Sequence, residues 1–423
     1  MTPRDYLAGL EFHGIKLGLD NIRFLMDAAG APHCRYPTLH VAGTNGKGSV
    51  VAFAASMLRA AGYRVGRFTS PHLLDVSERF LINDQPIAAA DLDRHIEFFR
   101  NVSAALPNPP TYFEVCTAVA FRHFAESGVD VGVIEVGMGG RFDSTNVVEP
   151  EVCAITNIAF DHMKYLGNTL EAIAFEKAGI VKPGVPVVVG ERNAGPFDVI
   201  EKVAHERGSP MILKKRDFTY TAGGGPLEPA ITYRGPHYQI ADVPLGLAGM
   251  HQAENAALAI AMIESTQPRI LVPQEAIVRG LADVRWPCRL ERVLDSPPVY
   301  IDVAHNPAGI ARLVESMPPC VVVFAAASDK NVGEMLRALQ PIAKRFVLTT
   351  FDGARALPLA QLEAAATDLA CHVDSRTPLD AAIELGIKSA STQRPLLITG
   401  SIFTAAQARR ILIRDHHAPS LQF

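Results

Sequence analysis

The sequence predicts an α/β protein of two unequal domains, each a mostly parallel sheet covered by helices. Three observations predict it. Short, near-continuous apolar runs alternate with helical patterns, a glycine-rich loop joins the first run to its helix, and a second alternating series begins after Trp286-Pro287. Strands that are apolar on both faces are what a parallel sheet buried between helix layers requires. The 423 residues leave room for two to three domains, at about 150 residues each.

Taken in order, Thr38–Ala42 reads as a strand and Ser49–Ala61 as a helix with Val50, Phe53, Ala54, Met57 and Leu58 on one face. Gly62 closes that helix, as glycine does where the chain must leave it. Arg64–Phe68, Val129–Val136, Val152–Asn157 and Val185–Val189 are further strands, with a helix over Tyr112–Glu126. The character changes from Lys214 to Val243. Gly223–Pro226 is a turn-rich break, and Ile231–Ile240 predicts a hairpin on the edge of the first domain. A helix over His251–Glu264 follows. Strands are then expected at Val299–Val303, Cys320–Ala325, Arg345–Thr350 and Leu396–Thr399. This gives a first domain over 1–284, a linker over 285–298 where proline clusters bracket a charged stretch, and a second domain over 299–423.

Composition excludes several classes. Lys+Arg 40 against Asp+Glu 44 leaves a net charge of −4, so no global field favours nucleic acid or anionic lipid. The six cysteines are scattered with no C-x-x-C pair, which points away from a zinc ribbon, a redox motif or a disulfide scaffold and towards buried thiols. Met1–Gly14 carries Arg4, Asp5, Glu11 and His13 and does not read as a signal peptide. The longest apolar runs, such as Ala256–Ile263, fall well short of the ~20 residues of a membrane helix. The expectation is a cytoplasmic protein.

The sharpest local signal is Gly43-Thr44-Asn45-Gly46-Lys47-Gly48-Ser49, between the first strand and its helix. Glycines let backbone N–H groups close around phosphate oxygens, and a helix N-terminus adds its dipole. Lys47 would reach the β/γ-phosphates and Ser49 would face a metal. The spacing departs from the strict G-x-x-x-x-G-K-[ST] pattern, because Gly48 separates Lys47 from Ser49. A bland glycine-rich turn is the competing reading. No N-K-x-D guanine-reading element is present, so a signalling GTPase is disfavoured.

Other polar groups fall at expected strand ends, where open α/β sheets bind ligands. These are Ser70 in Thr69-Ser70-Pro71-His72, Glu135 before Gly137-Met138-Gly139-Gly140, Asp161-His162, and Asp302 with His305 in Asp302–Pro307. A hydroxyl, a carboxylate and an imidazole together can hold a hard divalent cation that also touches ATP phosphates. Singly, Ser70 reads equally well as a turn or cap residue, His162 as a satisfied loop histidine, and Lys177 as a lysine at a helix C-terminus. Glu135 is harder to explain away, since a carboxylate in so apolar a strand needs a partner.

Together these segments resemble the folylpolyglutamate synthase and dihydrofolate synthase family of the Mur ligase superfamily. The matching motifs are His40–Ser49, Ser70-Pro71-His72, Thr111–Glu114, Glu135–Asn146, Asp161-His162 with Leu166-Gly167, Glu176–Ile180, His251 with Asn255-Ala256, Asp302–Pro307 and Gly400-Ser401. Gly14–Leu19 also resembles the N-terminal segment of bacterial-type members. The resemblance implies a Mur-ligase-like central domain with a phosphate loop and a smaller Rossmann-like C-terminal domain. It implies an ATP-dependent amide ligase joining L-glutamate to dihydropteroate and to reduced folates through an acyl phosphate.

By the same resemblance, Gly43, Thr44, Asn45, Gly46, Lys47, Gly48 and Ser49 hold ATP, with Asn255, Arg289 and Asp302 facing it. Ser70 and Glu135 bind one Mg²⁺. His162 binds a second together with Lys177, which matches a lysine carbamylated in the family. Lys47, Lys177, His162 and His305 make up the catalytic set. His305 and Ser401 match glutamate-binding positions, and Tyr112, Phe113, Arg141 and Asp143 lie where the pterin-bearing substrate approaches. The family favours a monomer.

Departures are Pro287-Cys288-Arg289 where the family often has Pro-Gly-Arg, Ala325–Lys330 in place of a glycine-led strand end, and Met138 and Phe142 in the glycine stretch. One rival reading is a Mur-type ligase acting on a UDP-sugar precursor. It would need a further domain before the phosphate loop, where 42 residues stand. A second rival is a non-catalytic ATP-binding module, which predicts loss of Ser70, Glu135, His162 or Lys177.

Overall fold

A computed structural model describes residues 1–14, 16 and 18–423, apart from the side chains of Phe12 and His13. Ile15 and Leu17, within the Gly14–Leu19 segment noted above, lie outside the described residues. The chain divides into two compact units. The first comprises Met1–Thr221, Ile231–Val243 and Ala253–Val284, and the second Ala222–Ala230, Pro244–Gln252 and Arg285–Phe423.

The first unit is built on eight strands: β1 (Thr38–Ala42), β2 (Val65–Phe68), β3 (Phe80–Ile82), β4 (Gln85–Pro86), β5 (Val131–Glu135), β6 (Val152–Ile155), β7 (Val187–Val189) and β8 (Met211–Leu213). They lie in the order β4-β3-β2-β5-β1-β6-β7-β8. From β2 to β8 the sheet is parallel, and β3 and β4 add an antiparallel edge. Every residue of β1, β2, β5, β6 and β7 is buried, which is why these strands read as continuous apolar runs. The helix Lys47–Ala60 is buried through most of its length, from Gly48 to Leu58. Tyr112–Glu126 is a helix opened by a capping box, in which Thr111 Oγ1 accepts from Glu114 N and Glu114 accepts from Thr111 N. The edge strands β3, β4 and β8 escaped the sequence reading because two or three residues carry no period to detect.

The segment read as an edge hairpin does form one, but in a separate three-stranded sheet rather than on the edge of the large one. The smaller sheet contains β9 (Thr219–Gly225), β10 (Glu228–Arg234) and β11 (Gln239–Pro244) in the order β11-β10-β9. The expected boundary at residue 284 is likewise crossed by two upstream pieces. Leu227 and Ala248 pack against the core of the second unit, which draws their segments into it.

The second unit holds β12 (Glu291–Asp295), β13 (Pro298–Ile301), β14 (Cys320–Phe324), β15 (Ala343–Leu348), β16 (His372–Ser375) and β17 (Leu396–Thr399), in the order β12-β13-β17-β14-β15-β16. All pairings are parallel except β12–β13. Residues 291–295, expected in a linker, form the antiparallel edge strand. All six cysteines are free: Cys116, Cys153, Cys288 and Cys320 are buried, Cys371 is half-buried, and Cys34, against expectation, is exposed. Among the described residues no helix is long and apolar enough to cross a membrane.

Candidate active site

In the first unit β2, β5, β1 and β6 are successive neighbours, so the segments leaving their carboxyl ends converge. Ser70 follows β2, Glu135 ends β5, Gly43 follows β1, and Thr156-Asn157 follow β6. The chain leaves β1 on one side towards β2 and continues through β6 on the other. That arrangement opens a crevice at the switch point of an open sheet.

The Gly43–Ser49 loop is shaped by two glycines that no other residue could replace without movement. Gly43 has φ 143, and a Cβ there would lie 1.8 Å from Thr156 Oγ1. Gly46, at φ 85, caps the helix Lys47–Ala60, and its Cβ would meet Asn255 Oδ1 at 2.5 Å. The segment after β6 clasps the loop. Thr44 N donates to Asn157 O at 2.8 Å, Asn45 N to Asn157 Oδ1 at 3.0 Å, and Thr156 Oγ1 to Asn45 O at 2.6 Å. Thr44 Oγ1 also accepts from Ala159 N at 3.0 Å. The opening N–H groups of the helix have no intrahelical partner by geometry and point out of its N-terminus.

Two lysines reach this loop from different directions. Lys47 Nζ donates to Thr44 O at 3.2 Å, and Lys177 Nζ to Gly43 O at 2.8 Å. Lys177 is 5% exposed near the end of the helix Leu170–Ala178. Burial, reinforced by the charge of Lys47, pushes its ammonium down to about 7, against the opposing pull of Asp161 and Asp143. Glu135, also buried, accepts a hydrogen bond from Ser70 N at 3.1 Å, which explains how a carboxylate persists in that strand. His162 is exposed, with left-handed φ 50, and its N–H donates to Asp161 Oδ1.

The loop after β5 is knitted together by Asp143. Its carboxylate accepts from Met138 N at 2.9 Å, Thr145 N at 3.0 Å and Thr145 Oγ1 at 2.5 Å. With its hydroxyl proton committed to Asp143, Thr145 must accept from His40 Nε2, 2.8 Å away. His40 lies wholly inside β1, and burial holds it neutral, with its pKa down to about 3. Arg141 forms a two-pronged ion pair with Glu176 (2.6 and 3.3 Å), and its guanidinium lies near the Phe142 and Phe175 rings at 4.3 and 5.0 Å. Phe113 packs against Phe68 and beneath Gly137, so it buttresses the loop, while Tyr112 lies under the guanidinium of Arg79.

In the second unit Asp302–Asn306 follow β13 and Gly400-Ser401 follow its parallel neighbour β17. His305 Nδ1 donates to Val303 O at 3.0 Å. Ser401 Oγ caps the helix Ile402–His416 by accepting from Phe403 N. Both oxygens of Asp302 accept from the backbone, Oδ2 from Leu290 N at 2.8 Å and Oδ1 from Ala304 N at 2.7 Å. Arg289 is half-buried between Cys288 and Leu290.

Of the residues that sequence reasoning named, Gly43–Ser49, Ser70, Tyr112, Phe113, Glu135, Arg141, Asp143, His162, Lys177 and Asn255 lie in the first unit, and Arg289, Asp302, His305 and Ser401 in the second. That reasoning missed the clasp by Thr156 and Asn157, the link from His40 to Asp143, and the Glu176 pairing. His40 and Glu176 stood inside quoted motifs. Only their side-chain partners were invisible.

Known proteins fit this architecture from end to end. Residues 41–263 match the Mur ligase middle domain and residues 288–402 the Mur ligase glutamate ligase domain, which sets the class. The chain is 38% identical to the dihydrofolate synthase/folylpolyglutamate synthase of Bacillus subtilis, over 97% of this chain and 98% of that protein. Folylpolyglutamate synthase of Mycobacterium tuberculosis, solved with ADP and AMPPCP, superposes with TM-score 0.89 at 34% identity, over 94% and 96% of the two chains. The bifunctional folylpolyglutamate synthase/dihydrofolate synthase of Yersinia pestis, solved with AMPPNP and a Mn ion, gives 0.87 at 30%, over 97% and 98%. The chain belongs to the dihydrofolate synthase/folylpolyglutamate synthase family of Mur ligases.

Proposed function

We propose that this protein is an ATP-dependent ligase that adds L-glutamate to dihydropteroate and to reduced folates, acting as a cytoplasmic monomer on small molecules, with no nucleic-acid or membrane partner. A substrate carboxylate oxygen attacks the γ-phosphorus, the bond to ADP breaks, and an acyl phosphate forms. The glutamate nitrogen then attacks the acyl carbon, loses a proton, and phosphate departs from the tetrahedral intermediate. The protein's part is charge neutralisation, alignment and exclusion of water.

The observation that carries this reading is that Lys47 and Lys177 both donate to carbonyls of the Gly43–Ser49 loop, while the Ser70–Glu135 pair stands at the carboxyl ends of the neighbouring strands β2 and β5. Lys47 and the helix N-terminus neutralise the β/γ-phosphates, and Asn255, against Gly46, borders the same loop. The hydroxyl of Ser70 and the carboxylate of Glu135 are hard oxygen donors that fit Mg²⁺, with substrate phosphates completing the shell. The metal, when bound, spreads the charge developing on the transferred phosphoryl group. Lys177 as an ammonium would repel a second ion beside His162. A lysine whose pKa lies near 7 has a large neutral fraction. Its lone pair can bond to the carbon of CO₂ with loss of a proton, which turns a cation into an anionic oxygen donor. His305 and Ser401 hold the incoming glutamate, while Arg141 and the loop fixed by Asp143, with Tyr112 and Phe113 behind it, border the folate.

Phosphate release from ATP and Mg²⁺ with L-glutamate tests the reading, using dihydropteroate in one reaction and tetrahydrofolate in another. Release in both, with glutamylated products seen by mass, is expected. Release in one alone removes bifunctionality, and silence in both removes the folate assignment. Lys177→Ala is expected to abolish ligation and to recover part of it with a short carboxylate, and ¹³C-labelled bicarbonate should give a carbamate signal absent from the variant.

A further inference from the structure

Cys288 and Leu290 both adopt left-handed backbone, at φ 57 and φ 49, and neither is glycine. Such conformations persist in residues with a Cβ only where the surroundings over-determine them. Here they do. Cys288 N donates to Glu291 Oε2 at 2.9 Å, Leu290 N to Asp302 Oδ2 at 2.8 Å, and Val303 N to Cys288 O at 3.1 Å. The side chains of Cys288 and Leu290 are buried, and Arg289 between them is half-buried.

Behind this segment lies an arginine from the far end of the chain. Arg409, on the helix Ile402–His416, is 1% exposed, and its Nη2 donates to Glu291 Oε1 at 2.8 Å. That is the second oxygen of the carboxylate whose first oxygen holds Cys288 N. The other two guanidinium nitrogens, Nε and Nη1, are buried without a hydrogen-bond partner among the described residues. A buried cation so thinly satisfied is an unfavourable way to build a core, so its presence needs a reason beyond packing.

We propose that Arg409 is a positioning residue. Through Glu291 it fixes the left-handed Cys288–Leu290 segment and thereby aims Arg289 at ATP. The proposal rests on the reading that Arg289 faces ATP, and it gives the C-terminal helix a part in nucleotide binding. Glu291 and Asp302 grip the segment from its two ends, and Arg409 keeps the Glu291 grip in one orientation. A glycine at position 288 would adopt the same backbone without strain.

Steady-state kinetics of the full chain test this. Arg289→Ala is the reference and is expected to raise the KM for ATP about tenfold, leaving the KM values for L-glutamate and folate in place. Arg409→Met and Glu291→Gln should reproduce that pattern, with Arg409→Lys in between. Adding Cys288→Gly to Arg409→Met should restore much of the ATP affinity, a rescue that loss of packing alone would not give. An unchanged KM for ATP in Arg409→Met and Glu291→Gln, with Arg289→Ala still impaired, overturns the proposal while sparing the Arg289 reading. An unchanged KM in Arg289→Ala removes both. A uniform fall in kcat and thermal midpoint, without rescue by Cys288→Gly, marks Arg409 as merely structural and also overturns it. Should Arg409→Met not fold, Glu291→Gln carries the test, because it keeps the shape while removing the charge and turning one of the two accepting oxygens into a donor.

Discussion

Two segments of this protein hold left-handed backbone at a candidate nucleotide contact, and they do it by opposite means. In the Gly43–Ser49 loop the left-handed positions are glycines, Gly43 and Gly46, and the neighbours close over the space a Cβ would need. In Cys288–Leu290 the left-handed positions carry side chains, held by hydrogen bonds to neighbouring Glu291 and to Asp302 and Val303 further along the chain. The first turn is encoded where it occurs. The second is encoded by Glu291, Asp302 and Arg409, the last more than a hundred positions away. A locally encoded turn should be intolerant of substitution at the turn itself, and a remotely encoded one should be sensitive at its supports.

The largest effect is therefore expected at Gly43. In Gly43→Ala the new methyl would stand 1.8 Å from Thr156 Oγ1 and 3.0 Å from Thr156 N. The loop must shift, carrying with it the carbonyl that Lys177 Nζ touches at 2.8 Å. A displacement on the ångström scale at a reacting centre lowers turnover by about a hundredfold. Single-turnover phosphate release from the variant measures it. Turnover within a few-fold of the parent would mean that the loop is not locally encoded, and the contrast with Cys288–Leu290 would collapse.

The same contrast explains what the sequence made legible. Buried parallel strands, the glycine loop and the Thr111–Glu114 capping box are written in adjacent residues, and each was readable from them. Ser70 and Glu135 were readable as strand-end residues, although their mutual hydrogen bond was not. What escaped was written across the chain. His40 reaches Asp143 only through Thr145, Arg141 finds Glu176 from another element, and Leu227 and Ala248 join a core whose strands begin some 50 residues later. Such pairings have no period and no local composition, so only the folded chain displays them.

Acid should separate the two units next. In the first unit His95 and His123 stack edge to face at 5.6 Å between the helices Ala89–Ser103 and Tyr112–Glu126. Burial pushes both down to about 4. Arg94 contributes to both shifts, and Glu126 and, for His123, Asp91 oppose them. His72 is likewise held near 4 and His40 near 3, by burial first. In the second unit His251 alone shows such a shift among the described residues. A group whose folded pKa lies below its ordinary 6.5 binds its proton more readily in the unfolded chain. The stability it contributes is present above that value and is lost as pH falls towards 4. The first unit should therefore melt first. Far-UV circular dichroism is expected to fall between pH 6 and 4 before any change at Trp286, the single tryptophan and a residue of the second unit. Simultaneous loss of both signals would place the acid-sensitive groups elsewhere.

The smallest effect tests the remotely held turn directly. Position 288 carries a buried thiol, so Cys288→Gly mixes two changes: relief of left-handed strain and loss of packing. Comparing Cys288→Gly with Cys288→Ala isolates the first, because both lack the sulfur. At ordinary backbone angles alanine is the more stabilising residue by roughly 0.5–1 kcal/mol, since glycine loses more chain entropy on folding. At φ 57 the order should invert, because a Cβ in the left-handed region costs about 1–2 kcal/mol. The glycine variant is therefore expected to be the more stable of the two by about 1 kcal/mol, or roughly 2–4 °C in Tm for a unit of this size. Repeating the pair in a Glu291→Gln background should narrow the gap, because loosening the Glu291 clamp lets the alanine backbone relax out of the left-handed region and shed its strain. If alanine proves the more stable in both backgrounds, the segment is not strained, and the need for Arg409 behind it disappears.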